Sequence, residues 1–204
     1  MTLSLRRDQV LKGAAWLTSN FASPIAEAIR GTPVSIALVQ AIACKETHNL
    51  WLSRTATHRP EELLANCIGD ACGDVPECSR TAFPRNGGVF RAEYGDAFAD
   101  ALIAEANKMR AMRGMPPSKL LYKGYGIFQY DLQHVKADED FFRKFQWHDM
   151  NHCLHRLMRE LKKKFASAGG NTREAVRRYN GSGARAEAYA DEVMQFCSWC
   201  EGTT

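Results

Sequence analysis

The most informative segment of the sequence is Val34-Ser-Ile-Ala-Leu-Val-Gln-Ala-Ile-Ala-Cys-Lys-Glu-Thr-His48. Its first eleven residues place apolar side chains on nearly every side of a helix, and such a helix is buried. The preceding Thr32-Pro33 predicts the helix start, with Thr32 as N-cap and Pro33 at the first helical position. The predicted helix, residues 34–47, therefore presents a polar cluster at its C-terminal end: Lys45, Glu46, Thr47 and His48.

Glu46 is the candidate catalytic residue of this segment. Apolar surroundings and the negative end of the helix dipole both favour the protonated form of a carboxyl group. A protonated carboxyl group can act as a general acid, which cleavage of a glycosidic bond requires. The alternative is that Glu46 is only a polar residue at a helix terminus. Lys45 projects about 100° away around the helix and need not pair with it.

Periodicity along the rest of the chain predicts a mainly α fold. Apolar spacing typical of helices occurs at residues 8–29, 96–112, 148–165, 172–179 and 185–197. Residues 66–95 differ, because they hold three cysteines, five glycines, Pro76 and Pro84 without a sustained period. We predict a single domain over residues 1–204 that contains an irregular, cysteine-bearing insertion at 66–95.

Two further segments combine glycine with aromatic and amide residues. Gly124-Tyr-Gly-Ile-Phe-Gln129 predicts a short strand or turn whose backbone bends tightly or approaches a ligand closely. Tyr179-Asn-Gly-Ser-Gly183 follows a predicted helix, which Asn180 and Gly181 end. Gln129 suits an amide-bearing sugar, and Tyr179 offers an aromatic face and a hydroxyl. Each segment, taken alone, is also explained as a turn or a helix stop.

In chain order, these segments resemble the lysozyme-like superfamily, above all lytic transglycosylases and goose-type lysozymes. The resemblance rests on Ile42-Ala-Cys-Lys-Glu-Thr-His48, on the two glycine-containing segments and on Tyr189-Ala-Asp-Glu-Val193. It implies a lysozyme-like α+β fold in which Glu46 is the acid. The residues expected to bind substrate are Tyr125, Gln129, Tyr179, Asn180 and Tyr189. The chain departs from the family in the long separation between Glu46 and Gly124, and the resemblance does not explain residues 66–95.

A second carboxylate decides the type of reaction. An inverting hydrolase needs a base that holds a water molecule opposite the acid, and Asp131, Asp70 and Asp74 are the candidates. Asp131 follows Gln129 by two residues, where goose-type lysozymes also place an aspartate. A lytic transglycosylase needs no second carboxylate, since, as the resemblance implies, the N-acetyl group of the sugar assists and a 1,6-anhydro product forms. The three aspartates favour hydrolysis.

Composition restricts the classes of binding partner and the cellular compartment that the sequence predicts. The net charge of +4 suits a polyanion such as peptidoglycan, whereas the basic residues are too dispersed to predict nucleic-acid binding. No apolar run is long enough to span a membrane, and charged residues from Arg6 to Lys12 interrupt any signal-peptide core. Seven cysteines favour disulfides and an oxidising compartment, with reduced thiols or zinc as alternatives.

The sequence predicts a muramidase that cleaves between N-acetylmuramic acid and N-acetylglucosamine in a bacterial periplasm or outside the cell. An antibacterial effector or a phage lysin fits this setting, and an effector would have a cognate immunity protein. No cofactor or metal is expected, because the helical spacing of His148, His152 and His155 is better explained by a solvated face. The alternatives are a lytic transglycosylase, a non-catalytic glycan-binding protein and a chitin or chitosan hydrolase.

Overall fold

The computed structural model describes residues 3–75 and 78–202. These residues form nine α-helices and one small sheet, so the prediction of a mainly α fold is confirmed. The helices are α1 Arg7–Ile29, α2 Ile36–Trp51, α3 Pro60–Ala65, α4 Gly87–Tyr94, α5 Asp96–Met112, α6 Glu139–Arg143, α7 Met150–Ser167, α8 Thr172–Asn180 and α9 Ala184–Glu201. Within the described residues, no helix is both long and apolar enough to cross a membrane.

The chain divides into two compact units. Met1–His48 together with Leu154–Thr204 form what we call the terminal unit, and Asn49–Cys153 form the central unit. The division falls within α2 and α7. The predicted insertion at 66–95 lies in the central unit, and a single domain over residues 1–204 stays a prediction.

The core of the terminal unit is built on α2, as its sequence predicts. Leu38, Val39 and Ile42 of this helix are buried. Helix α9 packs against α1 and α8 and contributes the buried Val193 and Phe196. Burial of an aliphatic or aromatic side chain stabilises the fold by roughly 1.5–3 kcal/mol. The buried residues of α2 and α9 thus anchor the two helices that carry Glu46, Tyr189 and Glu192.

The ends of α2 differ from the prediction. The helix begins at Ile36, and its N-cap is Ser35, whose Oγ accepts a hydrogen bond from the Leu38 N–H at 3.1 Å. Thr32 instead stabilises the preceding turn, donating to the Ile29 carbonyl at 2.7 Å, so its assignment as N-cap is wrong. The helix continues to Trp51, which places Glu46 five residues before its end. The helix dipole acts within the last turn, so it contributes less at Glu46 than the sequence predicts.

The central unit contains an antiparallel sheet with the strand order β1-β2-β3. The strands are β1 Ile68–Ala71, β2 Tyr122–Tyr125 and β3 Tyr130–Asp131. Gly124 is the central position, since it pairs with Gly69 on one side and with Asp131 on the other. The Gly124–Gln129 segment is thus a strand followed by a tight connection, as expected.

Residues 66–95 are more ordered than predicted. They contain β1 and α4, and α4 is capped by Asn86, whose Oδ1 accepts from the Val89 N–H at 2.9 Å. Phe90 of this helix is buried and stacks on Tyr94 with ring centroids 5.0 Å apart. The prediction of an irregular segment therefore holds only between β1 and α4, where Pro76 lies outside the described residues.

The remaining predicted helices are present with small shifts at their ends. Helix α5 matches residues 96–112, α8 extends the predicted range by one residue, and α9 extends it by one residue at its start and four at its end. Helix α7 begins at Met150, so His148 lies in the preceding 3₁₀ turn and does not share a helix face with His152 and His155. His152 and His155 are exposed, in agreement with a solvated face.

Candidate functional site

Glu46 lies half-buried on α2 and accepts a hydrogen bond from a tyrosine of α9. The Tyr189 hydroxyl donates to Glu46 Oε1 at 2.6 Å. Tyr189 is only 7% exposed, and its burial, together with the negative charge of Glu46, raises its pKa well above the usual value. The phenol therefore stays protonated at neutral pH and serves as a fixed hydrogen-bond donor to the carboxyl group.

Tyr179 in the last turn of α8 is the second phenol of this site. Its ring centroid lies 6.5 Å from that of Tyr189, with the ring planes tilted by 34°. Burial raises its pKa well above the usual value, and the charges of Glu46 and Glu160 add to that effect. Glu46, Tyr179 and Tyr189 together form what we call the Glu46 cluster. The sequence singled out all three residues, whereas it gave no sign of Glu160.

A buried ion pair joins the same two helices next to the Glu46 cluster. Lys45 of α2 pairs with Glu192 of α9, and the two side chains are 21% and 8% exposed. The Lys45 ammonium also lies 6.0 Å from the centroid of the Tyr189 ring. Burial alone would raise the pKa of Glu192, but hydrogen bonds from Lys45 and from the Ser4 backbone N–H lower it overall. Sequence reasoning missed this pair, because its members are 147 positions apart.

His48 follows Glu46 on α2 and is half-buried. Its Nδ1 lies 3.0 Å from the Cys44 carbonyl oxygen, so the neutral ring carries its proton on Nδ1. Burial lowers the pKa of His48, and the positive charge of Lys45 lowers it further. The contact with Cys44 and the negative charge of Glu192 act in the opposite direction. The pKa of His48 therefore depends on the charges of both Lys45 and Glu192.

Asn180 is exposed at the end of α8, directly after Tyr179. Gly181 ends this helix with a φ of +130°, a value that L side chains rarely adopt. The helix stop predicted at Asn180-Gly181 is therefore observed. Asn180 is available to solvent next to the Glu46 cluster, and its role in binding sugar stays a prediction.

Tyr125 of the central unit is a core residue. It is fully buried, and its hydroxyl donates to the Tyr122 carbonyl at 3.1 Å. Its ring lies 4.8 Å from that of Trp147 and packs edge-on against Phe142. This packing makes Tyr125 a core residue of the central unit, and its contact with substrate stays a prediction.

Gln129 closes the turn between β2 and β3. Its Nε2 donates to the carbonyls of Gly126 at 2.9 Å and Cys67 at 3.3 Å. A Cβ atom on either Gly69 or Gly124 would lie 2.3 Å from Gln129 Oε1. The close approach of the Gln129 amide therefore explains why both positions are glycine. For Gly124, the sequence alone also allowed the close approach of a ligand. The amide nitrogen of Gln129 is therefore occupied by the local backbone, and its contact with sugar stays a prediction.

Asp131 forms a two-pronged ion pair with Arg80. The Arg80 Nη2–Asp131 Oδ1 and Nη1–Oδ2 distances are 2.5 and 3.2 Å, and the Arg80 side chain is only 9% exposed. Asp131 Oδ1 also accepts from the Gln133 N–H at 2.7 Å. Arg80 donates in addition to the carbonyls of Phe83 and Pro84. Asp131 therefore anchors the irregular segment, and no local pattern around Arg80 signalled this contact.

The other two candidate carboxylates differ in their surroundings. Asp74 Oδ2 accepts from the Gly87 N–H at 2.8 Å, at the start of α4. Asp70 lies exposed on β1 with a φ of +54°, which an aspartate tolerates better than most residues. Asp74 thus stabilises a helix start, and Asp70 points to solvent. Neither arrangement by itself identifies a catalytic base.

The structure contains no disulfide among the seven cysteines that it describes, and the disulfides expected from the sequence stay a prediction. Burial raises the pKa of Cys72 to about 12, that of Cys197 to about 12 and that of Cys200 to about 11. These side chains act as small buried apolar groups. No group of three or more potential metal ligands occurs among the residues the structure describes.

Comparison with known proteins adds no relative. No protein family, no curated protein and no solved structure gives a significant match to this chain. The likeness to lysozyme-like enzymes therefore rests on the order of the motifs and on the chemistry of their residues.

Proposed function

We propose that this protein cleaves the glycan strands of bacterial peptidoglycan, with Glu46 as the general acid. The observation that carries the proposal is the 2.6 Å hydrogen bond from Tyr189 to Glu46. It joins two motifs that the resemblance singles out, 143 positions apart in the chain. Partial burial favours the protonated form that a general acid needs, while the neutral donor orients the carboxyl group without adding a charge.

The proposed reaction begins with proton transfer from Glu46. The carboxyl group gives its proton to the oxygen between N-acetylmuramic acid and N-acetylglucosamine. The bond from that oxygen to the anomeric carbon breaks, and its electron pair stays on the oxygen. Tyr189 fixes the orientation of the carboxyl group and stabilises the carboxylate that remains. Tyr179 and the exposed Asn180 are proposed to contact the sugar beside the acid.

Two fates of the resulting sugar cation define two candidate activities. In a muramidase, a water molecule held by a second carboxylate attacks the anomeric carbon. In a lytic transglycosylase, the 6-hydroxyl oxygen of the same sugar bonds to the anomeric carbon, its proton passes to the Glu46 carboxylate, and a 1,6-anhydro product forms. Both oxygens of Asp131, one of the candidate bases, are engaged by Arg80. We therefore propose the lytic transglycosylase, which needs no second carboxylate, beside the muramidase. Asp70 and Asp74 stay candidates for the water-activating base.

The setting follows from the substrate. Peptidoglycan carries peptide carboxylates, and the two segments of the terminal unit hold more Lys and Arg than Asp and Glu. An enzyme on this polymer acts in the periplasm or outside the cell. If the protein is an antibacterial effector, the producing cell needs an immunity protein, and the Glu46 cluster is the surface that such an inhibitor would cover.

The test is digestion of purified peptidoglycan with separation of the products by mass spectrometry. We expect Glu46→Gln to lower the cleavage rate by about 10²–10⁴-fold, because the amide has no acidic proton to transfer. Glu27→Gln, a matched change at an exposed glutamate of α1, should leave the rate unchanged. Products with a reducing end identify a muramidase, and products lighter by one water identify a transglycosylase.

The same experiment separates the remaining alternatives. Equal cleavage by wild type and Glu46→Gln would mean that the acid is a different residue. No cleavage by the wild type, together with sedimentation on peptidoglycan, would support a non-catalytic glycan-binding protein. Cleavage of chitin or chitosan oligomers without cleavage of peptidoglycan would place the enzyme on another polymer.

A further inference from the structure

We propose that Lys45 and Glu192 are positioning residues whose ion pair holds Tyr189 against Glu46 and keeps the net charge beside the acid close to zero. The catalytic part of this inference rests on the proposed function. The electrostatic part concerns the folded protein alone and is measurable without any substrate.

Two parallel links between α2 and α9 carry the inference. Lys45 and Glu46 are adjacent on α2, and Tyr189 and Glu192 lie three residues apart on α9, where side chains are neighbours. The Lys45–Glu192 ion pair therefore runs beside the hydrogen bond from Tyr189 to Glu46. The Lys45 ammonium faces the Tyr189 ring at 6.0 Å, near the range of cation–π attraction.

The N-terminal segment adds a third contact to the pair. The Ser4 backbone N–H donates to Glu192 Oε1, while Lys45 donates to Oε2 of the same carboxylate. Leu5 next to it is buried. Glu192 is thereby fixed from two sides, and its position in turn fixes Lys45 beside Tyr189.

Burial makes the charges of the pair matter at Glu46. Side chains that are 21% and 8% exposed are weakly screened by water and salt, so removing one member leaves an unbalanced charge. Tyr179 of α8 and Tyr189 of α9 both interact with Glu46, and each also interacts with a second carboxylate, Glu160 and Glu192 respectively. His48 of α2 interacts with both Lys45 and Glu192.

Removing the two charges one at a time should move the pH dependence of cleavage in opposite directions. Glu192→Gln leaves Lys45 unbalanced, which favours ionised Glu46, and the alkaline limb of the activity profile moves to lower pH. Lys45→Met leaves Glu192 unbalanced, which favours protonated Glu46, and the same limb moves to higher pH. A shift of about half a pH unit or more is expected in each case. General damage to the fold cannot produce opposite signs.

His48 provides a readout that needs no activity. Its pKa is lowered by Lys45 and raised by Glu192. In an NMR titration, assigned with His48→Gln, the pKa of this ring should fall in Glu192→Gln and rise in Lys45→Met. Arg173→Met is the control. Arg173 lies on α8 and forms exposed ion pairs with Glu187 and Asp191 of α9, the helix that also carries Glu192. This control should leave the His48 titration where it is in the wild type.

Further variants keep the test decisive if a single charge destabilises the fold. Lys45→Arg and Glu192→Asp retain both charges and should keep the wild-type limb. The double variant Lys45→Met/Glu192→Leu removes both charges, avoids an unpaired buried ion and should return the limb close to the wild-type pH.

The outcomes distinguish the two proposals. If the pKa of His48 shifts as expected but the activity limb does not move, the pair does not act on Glu46 and the inference is overturned. An unmoved His48 pKa in both variants also overturns it, because the charges then have no local effect. If the wild type cleaves no peptidoglycan, the proposed function fails, while the His48 titration still decides the electrostatic part.

Discussion

The two units use similar residues in different ways. In the terminal unit, Glu46 meets the side chain of Tyr189 from a distant helix. In the central unit, Gln129 donates to two backbone carbonyls, and Asp131 accepts hydrogen bonds from Arg80. A carboxyl group held by a neutral phenol can exist in either protonation state, whereas a carboxylate paired with an arginine is held ionised and an amide bonded to two carbonyls holds the fold together. The hydrogen-bond partners of a polar side chain therefore distinguish a candidate catalytic residue from a structural one better than the sequence motif around it does.

The largest effect on stability should come from Gly126→Ala in the central unit. Gly126 has a φ of +80°, and an added Cβ would lie 2.8 Å from Cys153 Sγ and 3.2 Å from Trp147 Cβ. Backbone strain and overpacking together should lower the free energy of unfolding by about 2–4 kcal/mol. Denaturant unfolding measures the change.

Gly114→Ala is the matched control for the packing part of this change. Gly114 also has a positive φ, of +68°, but an added Cβ would meet nothing within 4 Å. It should cost only the backbone contribution, about 1 kcal/mol. Equal losses in the two variants would show that the Gly124–Gln129 segment is not tightly packed, which would weaken its assignment as scaffold.

Gln129→Leu should cost stability without changing catalysis. The change removes two hydrogen bonds, to the carbonyls of Gly126 and Cys67, although each carbonyl keeps a backbone N–H donor. At about 0.5–1.5 kcal/mol for each hydrogen bond, the expected cost is about 1–3 kcal/mol. Gln133→Leu, at an exposed neighbour, should stay within about 0.5 kcal/mol of the wild type. If Gln129→Leu instead raises KM for peptidoglycan at unchanged stability, Gln129 binds sugar as the sequence predicted, and the contrast between the two units is lost.

The sequence predicts what depends on local pattern. Helix α2 was recognisable because its apolar residues leave no polar face, and α5 because its apolar residues repeat at helical spacing. The strand and turn of Gly124–Gln129 were recognisable from the paired glycines. Ser35 could not be distinguished from Thr32 as the cap of α2, since both are good N-cap residues within the same turn.

The missed features all depend on contacts between distant residues. The pairs Lys45–Glu192 and Arg80–Asp131 are 147 and 51 positions apart. Lys45 and Glu192 stand in motifs that gave no sign of their pairing, and Arg80 stands in none. The core position of Tyr125 depends on Trp147, far along the chain. Glu46 was singled out because it follows a run of mostly apolar helix residues, but its partner Tyr189 entered only through the resemblance.

Tyr189→Phe should separate the hydrogen bond to Glu46 from the packing of the ring. The change removes only the hydroxyl, so the free energy of unfolding should change little while the cleavage rate falls about tenfold. Tyr94→Phe in the central unit removes a hydroxyl from another aromatic cluster and should leave the rate unchanged. A rate that is unaffected by Tyr189→Phe would show that the hydrogen bond does not prepare the acid, and the distinction between the units would then rest on Glu46 alone.

The smallest effect concerns Glu174, which stabilises the helix that carries Tyr179. Hydrogen bonds from Arg177 and Arg178 lower the pKa of Glu174 to about 2 from its ordinary value of 4.5. Because the folded-state pKa is the lower one, the contribution to stability is present above pH 4.5 and is lost as the pH falls toward 2. Glu174→Gln should therefore lower the Tm slightly at pH 6, and the difference from the wild type should vanish near pH 2. The group is exposed, so 1 M salt should also reduce the difference. If the Tm difference persists at pH 2, the variant acts through the N-terminal turn of α8, where the Asn171 side chain accepts from the Glu174 N–H. The ion pairs of Glu174 with Arg177 and Arg178 would then not stabilise the helix that carries Tyr179.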